Sequence, residues 1–207
     1  MSEARADAPG GLVLPLPRLR PATAGDAGQI VRLLAEAATE GMLGLDPATL
    51  RPEEEAARLA RLDLRRACAL VVAVQGRIEG WAVGVRGEEA AISHTASVSL
   101  AVAAASRRRG LGRLLLGGVR AWAAAAGLRK LGAGVASANS GALALFHGCG
   151  YAVEGIRREQ VCVGGHLRDE VLFGLLLPPA ARSGQTAPVR LAPGDRRQRG
   201  PARGPAS

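Results

Sequence analysis

The stretch SLAVAAASRRRGLG, Ser99 to Gly112, is where the reading of this chain is decided. Leu100 and Val102 close a short apolar run of strand character, Ser106 to Arg109 turn the chain, and Gly110 opens a segment with helical spacing. A helix starting here leaves its first backbone N–H groups without intrahelical acceptors, and the aligned peptide dipoles make that end electropositive. Gly110 and Gly112 have no Cβ to keep an anion off the backbone, while Arg107, Arg108 and Arg109 supply charge. Strand, basic turn, glycines and helix make a phosphate cradle, and a pyrophosphate fits it.

The flanking sequence supplies the frame. Leu111, Leu114, Leu115, Val119 and Trp122 recur as one apolar helical stripe, with Arg113 and Arg120 left outside and Gly127 as the stop. Residues 69–74 and 78–85 are apolar, β-branched runs around the turn Gln75-Gly76-Arg77, a hairpin with Trp81 in its core. Further strands are expected at 92–102 and 131–136. The helix between them makes the connection a crossover, so these two strands should be parallel.

A first strand near Leu19 to Ala22 is confined to a sheet edge by Pro15, Pro17 and Pro21. Thr23-x-x-Asp26 then reads as a capping box for a helix burying Ile30, Leu33, Leu34 and Ala37. A second helix begins near Pro52, its acidic start Glu53 to Glu55 suited to the helix dipole. Asn139 or Ser140 caps a short helix carrying Ala142, Leu143 and Phe146 inward. Runs 153–163 and 167–177 close the domain as a hairpin around Gly164-Gly165.

Two blocks carry a family resemblance. Arg107-x-x-Gly110-x-Gly112, preceded by Leu100-x-Val102, resembles the acyl-CoA-binding motif of the GCN5-related N-acetyltransferase (GNAT) superfamily. Asn139-x-x-Ala142-x-x-Leu145-Phe146-x-x-x-Gly150-Tyr151 resembles a second family segment, in the right order and register. The similarity covers roughly residues 16 to 178. It implies an α/β (α+β) fold: a mixed, mostly antiparallel central sheet flanked by helices, with a parallel strand pair splayed at the cofactor site. The expected organisation is a flexible leader at 1–15, the acetyltransferase domain at 16–178, and an Arg/Pro/Gly-rich tail at 179–207 that has too few apolar residues to fold.

Composition bounds the rest. At 207 residues the chain is long enough for one well-buried domain, and with 2% aromatics its core must be Ala, Leu and Val. The net charge of +9 is concentrated in the tail, where six arginines face Asp195. The mildly basic remainder suits an anionic cofactor and does not by itself call for nucleic acid. No aromatic residue interleaves the tail arginines, so base stacking on RNA is not available, although weak polyanion binding is. Cys68, Cys149 and Cys162 are odd in number and far apart, which argues for buried thiols in a reducing compartment and against a disulfide frame or metal site. No run reaches membrane-spanning length, so a soluble cytoplasmic protein is expected, and exposed edge strands permit a homodimer.

The resemblance implies attack of an amine on the thioester of acetyl-CoA. It places the pantetheine arm on backbone at Leu100, Ala101 and Val102, and the pyrophosphate on Arg107, Arg108, Arg109, Gly110, Leu111, Gly112 and Arg113. Asn139 is either a cofactor contact or a helix cap. The family's proton-donating tyrosine falls at Phe146, which the resemblance places among the cofactor contacts but which has no proton to give. The acidic residue that often follows a His-x-Ala element is here Ser97, after His94-Thr95-Ala96. His94 is therefore a candidate for proton transfer, and Asp169, Glu170 and Glu79 are others acting through a water. The competing reading is a non-catalytic acyl-CoA-binding or regulatory module, motivated by the loss of both customary proton-transfer residues.

Overall fold

A computed structural model describes residues 16–41 and 43–179. The expected leader, and the tail beyond Pro179, lie outside the described residues. Seven strands form one sheet in the order β1-β2-β3-β4-β5-β7-β6. They are β1 (Arg18–Pro21), β2 (Ala67–Val74), β3 (Arg77–Arg86), β4 (Thr95–Val102), β5 (Lys130–Ala136), β6 (Ala152–Val163) and β7 (His166–Leu176). Every neighbouring pair is antiparallel except β4 and β5. That parallel pair is joined by helix α3 (Leu111–Ala125), as a crossover connection requires.

Two helical layers cover the sheet. Helix α1 (Ala27–Thr39) and helix α2 (Pro52–Ala60) pack on one face, where Ile30, Leu33 and Leu34 meet Val71, Trp81 and Ala101. Helix α3 and helix α4 (Ser140–Gly148) pack on the other, where Leu115, Val119 and Ala123 meet Val72, Ala82, Val98 and Leu131. The buried stripe of α3 is Leu111, Leu115, Leu116, Val119 and Ala123; Leu114 is exposed and Trp122 only partly covered. The expected stripe was thus turned by part of a residue step. Trp122 instead donates its indole N–H to the Leu64 carbonyl, 2.8 Å away. Strand β4 starts at Thr95, later than position 92, because residues 90–92 wind into a 3₁₀ turn.

The entry to α1 is fixed as the capping box predicts. Thr23 donates its backbone N–H (2.8 Å) and its hydroxyl (2.9 Å) to Asp26, which also takes a bidentate pair of bonds from Arg20. The bond from Arg20 chiefly, and those from Thr23, hold the buried Asp26 carboxyl down at about 2 against a desolvation penalty.

Strands β4 and β5 pair at only three positions, Thr95↔Lys130, Ala96↔Leu131 and Ser97↔Gly132. Beyond Ser97 and Gly132 they part. Val98 to Val102 stay paired with β3, and Ala133 to Ala136 with β7, so the sheet opens as a V toward the C-terminal ends of both strands. Among the described residues no helix is long and apolar enough to cross a membrane.

Candidate functional site

The V holds a cleft of about 600 Å³. Its walls come from both layers. Leu100, Ala101 and Val102 supply the free side of β4; Gly110 to Arg113 supply the first turn of α3; residues 138–142 and Leu145 supply the start of α4. Ala37 and Leu43 reach it from the α1 side, so the opening runs through the sheet.

The local sequence explains the cradle. Arg108 has φ 63 and Gly110 φ 82, so the chain passes twice through the left-handed region before α3 begins. A non-glycine residue there is strained, and such strain persists where the surroundings hold it in place. Nothing lies within 4 Å of a Cβ built on Gly110, so the backbone there is open to a ligand. Gly112 differs. A Cβ on it would sit 2.7 Å from Leu145 Cδ2, so its lack of a side chain also lets α3 and α4 approach each other.

Ten of the residues expected to touch a cofactor line this cleft: Leu100, Ala101, Val102, Arg107, Arg108, Gly110, Leu111, Gly112, Arg113 and Asn139. Arg108 and Arg113 have no acidic partner among the described residues, so their charge is uncompensated where the α3 dipole is positive. Arg107 is engaged already, with Nε donating to the Val102 carbonyl at 3.1 Å and Nη2 paired with Glu40. The side-chain oxygen of Asn139 accepts from the Ala142 N–H at 3.0 Å, so this residue caps α4 and lines the cleft as well.

Two expected contacts lie elsewhere. Arg109 is exposed and does not line the cleft. Phe146 is buried in the core, edge-on to Tyr151 at 5.0 Å and stacked on Phe173 at 5.6 Å, because the inner face of α4 turns it away from the opening. Tyr151 is no substitute proton donor. It is buried in the same cluster, and burial pushes its hydroxyl up to about 12.

The proton-transfer candidates are separated by the fold. His94 is exposed, just before β4, about 20 Å along the strand from Leu100. Its carbonyl accepts from the Arg129 N–H at 2.7 Å. Glu79 sits at the outer mouth, where the next residue, Gly80, pairs with Val102; it accepts the Ser106 hydroxyl at 3.0 Å. Asp169 is committed to a bulge in β6, taking the Glu159 N–H and Arg158 Nη1, each at 3.0 Å.

Glu170 is placed differently. Its carboxylate folds over β5, so near that a Cβ on Gly134 would be 2.1 Å from Oε1. Gly134 is two residues beyond Gly132, the last β5 residue paired with β4. Glu170 is therefore the acidic candidate brought nearest the apex of the V, on the sheet face not covered by α3 and α4. Its only ion-pair partner among the described residues is the exposed Arg157, at 3.3 Å.

One feature of this site had no local signal in sequence. The tip of the β6–β7 hairpin returns to the end of α1, where Val163 Cγ1 lies 2.5 Å from a Cβ built on Gly41, a residue with φ 70. The Asp169-anchored bulge supplies the bend, with Glu159 at φ 47.

Comparison with known proteins agrees with this geometry. The model of the acetyltransferase (GNAT) family matches residues 32–151. Among solved structures, a GNAT-family acetyltransferase from Streptococcus pneumoniae is 25% identical with TM-score 0.72, the match covering 79% of this chain and 100% of that one. A Salmonella typhimurium protein solved with its cofactor acetyl-CoA is 22% identical with TM-score 0.73, covering 82% of this chain and 99% of that one. A phosphinothricin acetyltransferase from Sinorhizobium meliloti, in complex with acetyl-CoA, is 18% identical with TM-score 0.72, covering 82% and 96%. No curated protein matches the sequence.

Proposed function

The chain belongs to the acetyltransferase (GNAT) family, and on that premise we propose that it transfers the acetyl group of acetyl-CoA to a primary amine by direct attack within a ternary complex. The observation that carries this reading is the cleft itself: a V in the sheet, apolar along β4, with a helix N-terminus and the uncompensated guanidinium groups of Arg108 and Arg113 at its mouth. Acetyl-CoA contributes an activated thioester. Two similar structures that hold it support its choice as co-substrate.

The residues divide the work by chemistry. Backbone at Leu100 to Val102, unpaired on its β5 side, hydrogen-bonds the pantetheine arm. The N–H groups of Leu111, Gly112 and Arg113, with the Arg108 and Arg113 side chains, take the diphosphate. Leu145 packs beside the arm, and Asn139 fixes the first turn of α4 there. Glu170, on the opposite face of the V, takes a proton from the acceptor's ammonium directly or through one water, freeing the nitrogen lone pair that attacks the thioester carbonyl. The Ser97 hydroxyl at the apex cannot take that proton at neutral pH. The departing sulfur needs no acid from Phe146, since a thiol with pKa about 8.5 leaves as thiolate.

Calorimetric titration with acetyl-CoA, followed by free-thiol release with a panel of primary amines, tests this reading; absence of acetyl-CoA binding overturns it. A second reading, an acyl-CoA-binding module without turnover, is favoured by one observation: among the described residues no carboxylate, histidine or tyrosine lines the cleft. Thiol release with any amine rules it out.

A further inference from the structure

Arg107 is the one cleft arginine whose charge is already answered. Its partner, Glu40, is 67 residues away in sequence and stands at the C-terminal end of α1. The next residue is Gly41, the glycine against which the Val163 tip of the β6–β7 hairpin rests. A single ion pair therefore ties the cradle to the junction of α1 and the hairpin, the two elements that flank the V on the face opposite α3 and α4.

The pair is of the weak kind. Both side chains are 37% exposed, so solvent screens their attraction. Nη1 of Arg107 has no partner among the described residues, and the side chain lines the cleft. A diphosphate entering there presents more negative charge than one carboxylate, with oxygen pairs that suit a guanidinium fork.

We propose that Glu40 is a positioning residue that competes with the cofactor for Arg107: it holds the guanidinium at the cleft rim and yields it to the diphosphate of an acyl-CoA. Cofactor binding then unfastens the last turn of α1 from the cradle, so the acceptor side of the V loosens when the thioester is in place. This rests on the acyl-CoA reading of the cleft and extends it. No bond is made or broken; one ion pair is exchanged for another.

Glu40→Gln removes the competitor and keeps Arg107. Its affinity for acetyl-CoA is expected to rise about two- to fivefold over wild type, the scale of an exposed ion pair. The gain shrinks at high salt. Acetylpantetheine, which has no diphosphate, gains nothing. In wild type, amide exchange at Ala37 to Gly41 accelerates on adding acetyl-CoA; in Glu40→Gln it is already fast without it.

Calorimetry on the two proteins with both probes, together with hydrogen exchange, tests this. The inference is overturned if Glu40→Gln binds acetyl-CoA no more tightly than wild type, if acetylpantetheine gains equally, or if exchange at the end of α1 ignores the cofactor. Failure of wild type to bind acetyl-CoA at all is a separate result, which removes the functional reading and this inference with it.

Discussion

Leu145 occupies the space that a side chain on Gly112 would need, its Cδ2 only 2.7 Å from the would-be Cβ. The contact joins the first turn of α3 to α4 at the wall of the cleft. Gly112→Ala should therefore act in two places. Leu145 can swing its methyl groups into the adjoining opening, so the overpacking cost stays near the low end, about 1 kcal/mol in urea denaturation. The displaced methyls narrow the cleft, and acetyl-CoA affinity is expected to fall by more than the stability does.

Arg108→Ala and Arg113→Ala each remove an unpaired charge from the cradle. Hydrogen bonds to charged groups are worth about 1.5–3 kcal/mol, so each substitution should weaken acetyl-CoA roughly 10- to 100-fold. Thermal stability should hardly move, because both side chains are exposed. Titration at two salt concentrations checks the origin: the loss is larger at low ionic strength.

Glu170→Gln should lower kcat by about 10² to 10⁴ while leaving acetyl-CoA binding intact, as expected for a base that does not touch the cofactor. Gly134→Ala should mimic part of this loss, since its methyl would collide with the Glu170 carboxylate at 2.1 Å. His94→Ala, at the far end of β4, should be neutral. Comparable losses for His94→Ala and Glu170→Gln would refute the assignment.

Much of this arrangement was legible in the sequence, for physical reasons. Periodicity and turn residues gave the hairpins, the crossover and helix α3, because those signals are local. Stripe membership was read less well: an i, i+3, i+4 pattern suits Leu114 or Leu116 equally, and only the sheet beneath α3 buries Leu116 and exposes Leu114. The inward turn of Phe146 followed from its place on the helix, whereas its stacking on Phe173, on a strand 27 positions later, had no local signal. The Gly112–Leu145 contact, the Glu40–Arg107 pair and the Gly41–Val163 contact join positions far apart in the chain. Nothing in the intervening residues announces them.

Acid should expose the role of Asp26. Its folded-state value of about 2 lies below the ordinary 3.8, so the ionised carboxylate stabilises the fold. That contribution, about 2 kcal/mol, is complete above roughly pH 5 and is lost as the pH falls through 3.8 toward 2. Asp26→Asn should lose a similar amount at pH 7 and show a shallower acid limb. Urea denaturation of both proteins between pH 7 and pH 2.5 measures it.

The three free cysteines should react in order of accessibility. Cys162 is exposed, Cys149 intermediate and Cys68 buried, and burial raises the Cys68 thiol to about 11. Ellman's reagent on the native protein should label Cys162 first and Cys68 only with global unfolding. Rapid native labelling of Cys68 would contradict the packing of β2 beneath α3.

Three rungs of parallel ladder, with the Arg129 N–H to His94 carbonyl bond just ahead of them, stitch the β1–β4 half of the sheet to the β5–β7 half among the described residues. Such a seam is the natural spine of the molecule, a line about which two stiff covers can rock without breaking any longer ladder. Breathing should concentrate there. The helix that crosses the spine, α3, then serves as its binding, and a cofactor wedged between the covers would set how far the book stands open.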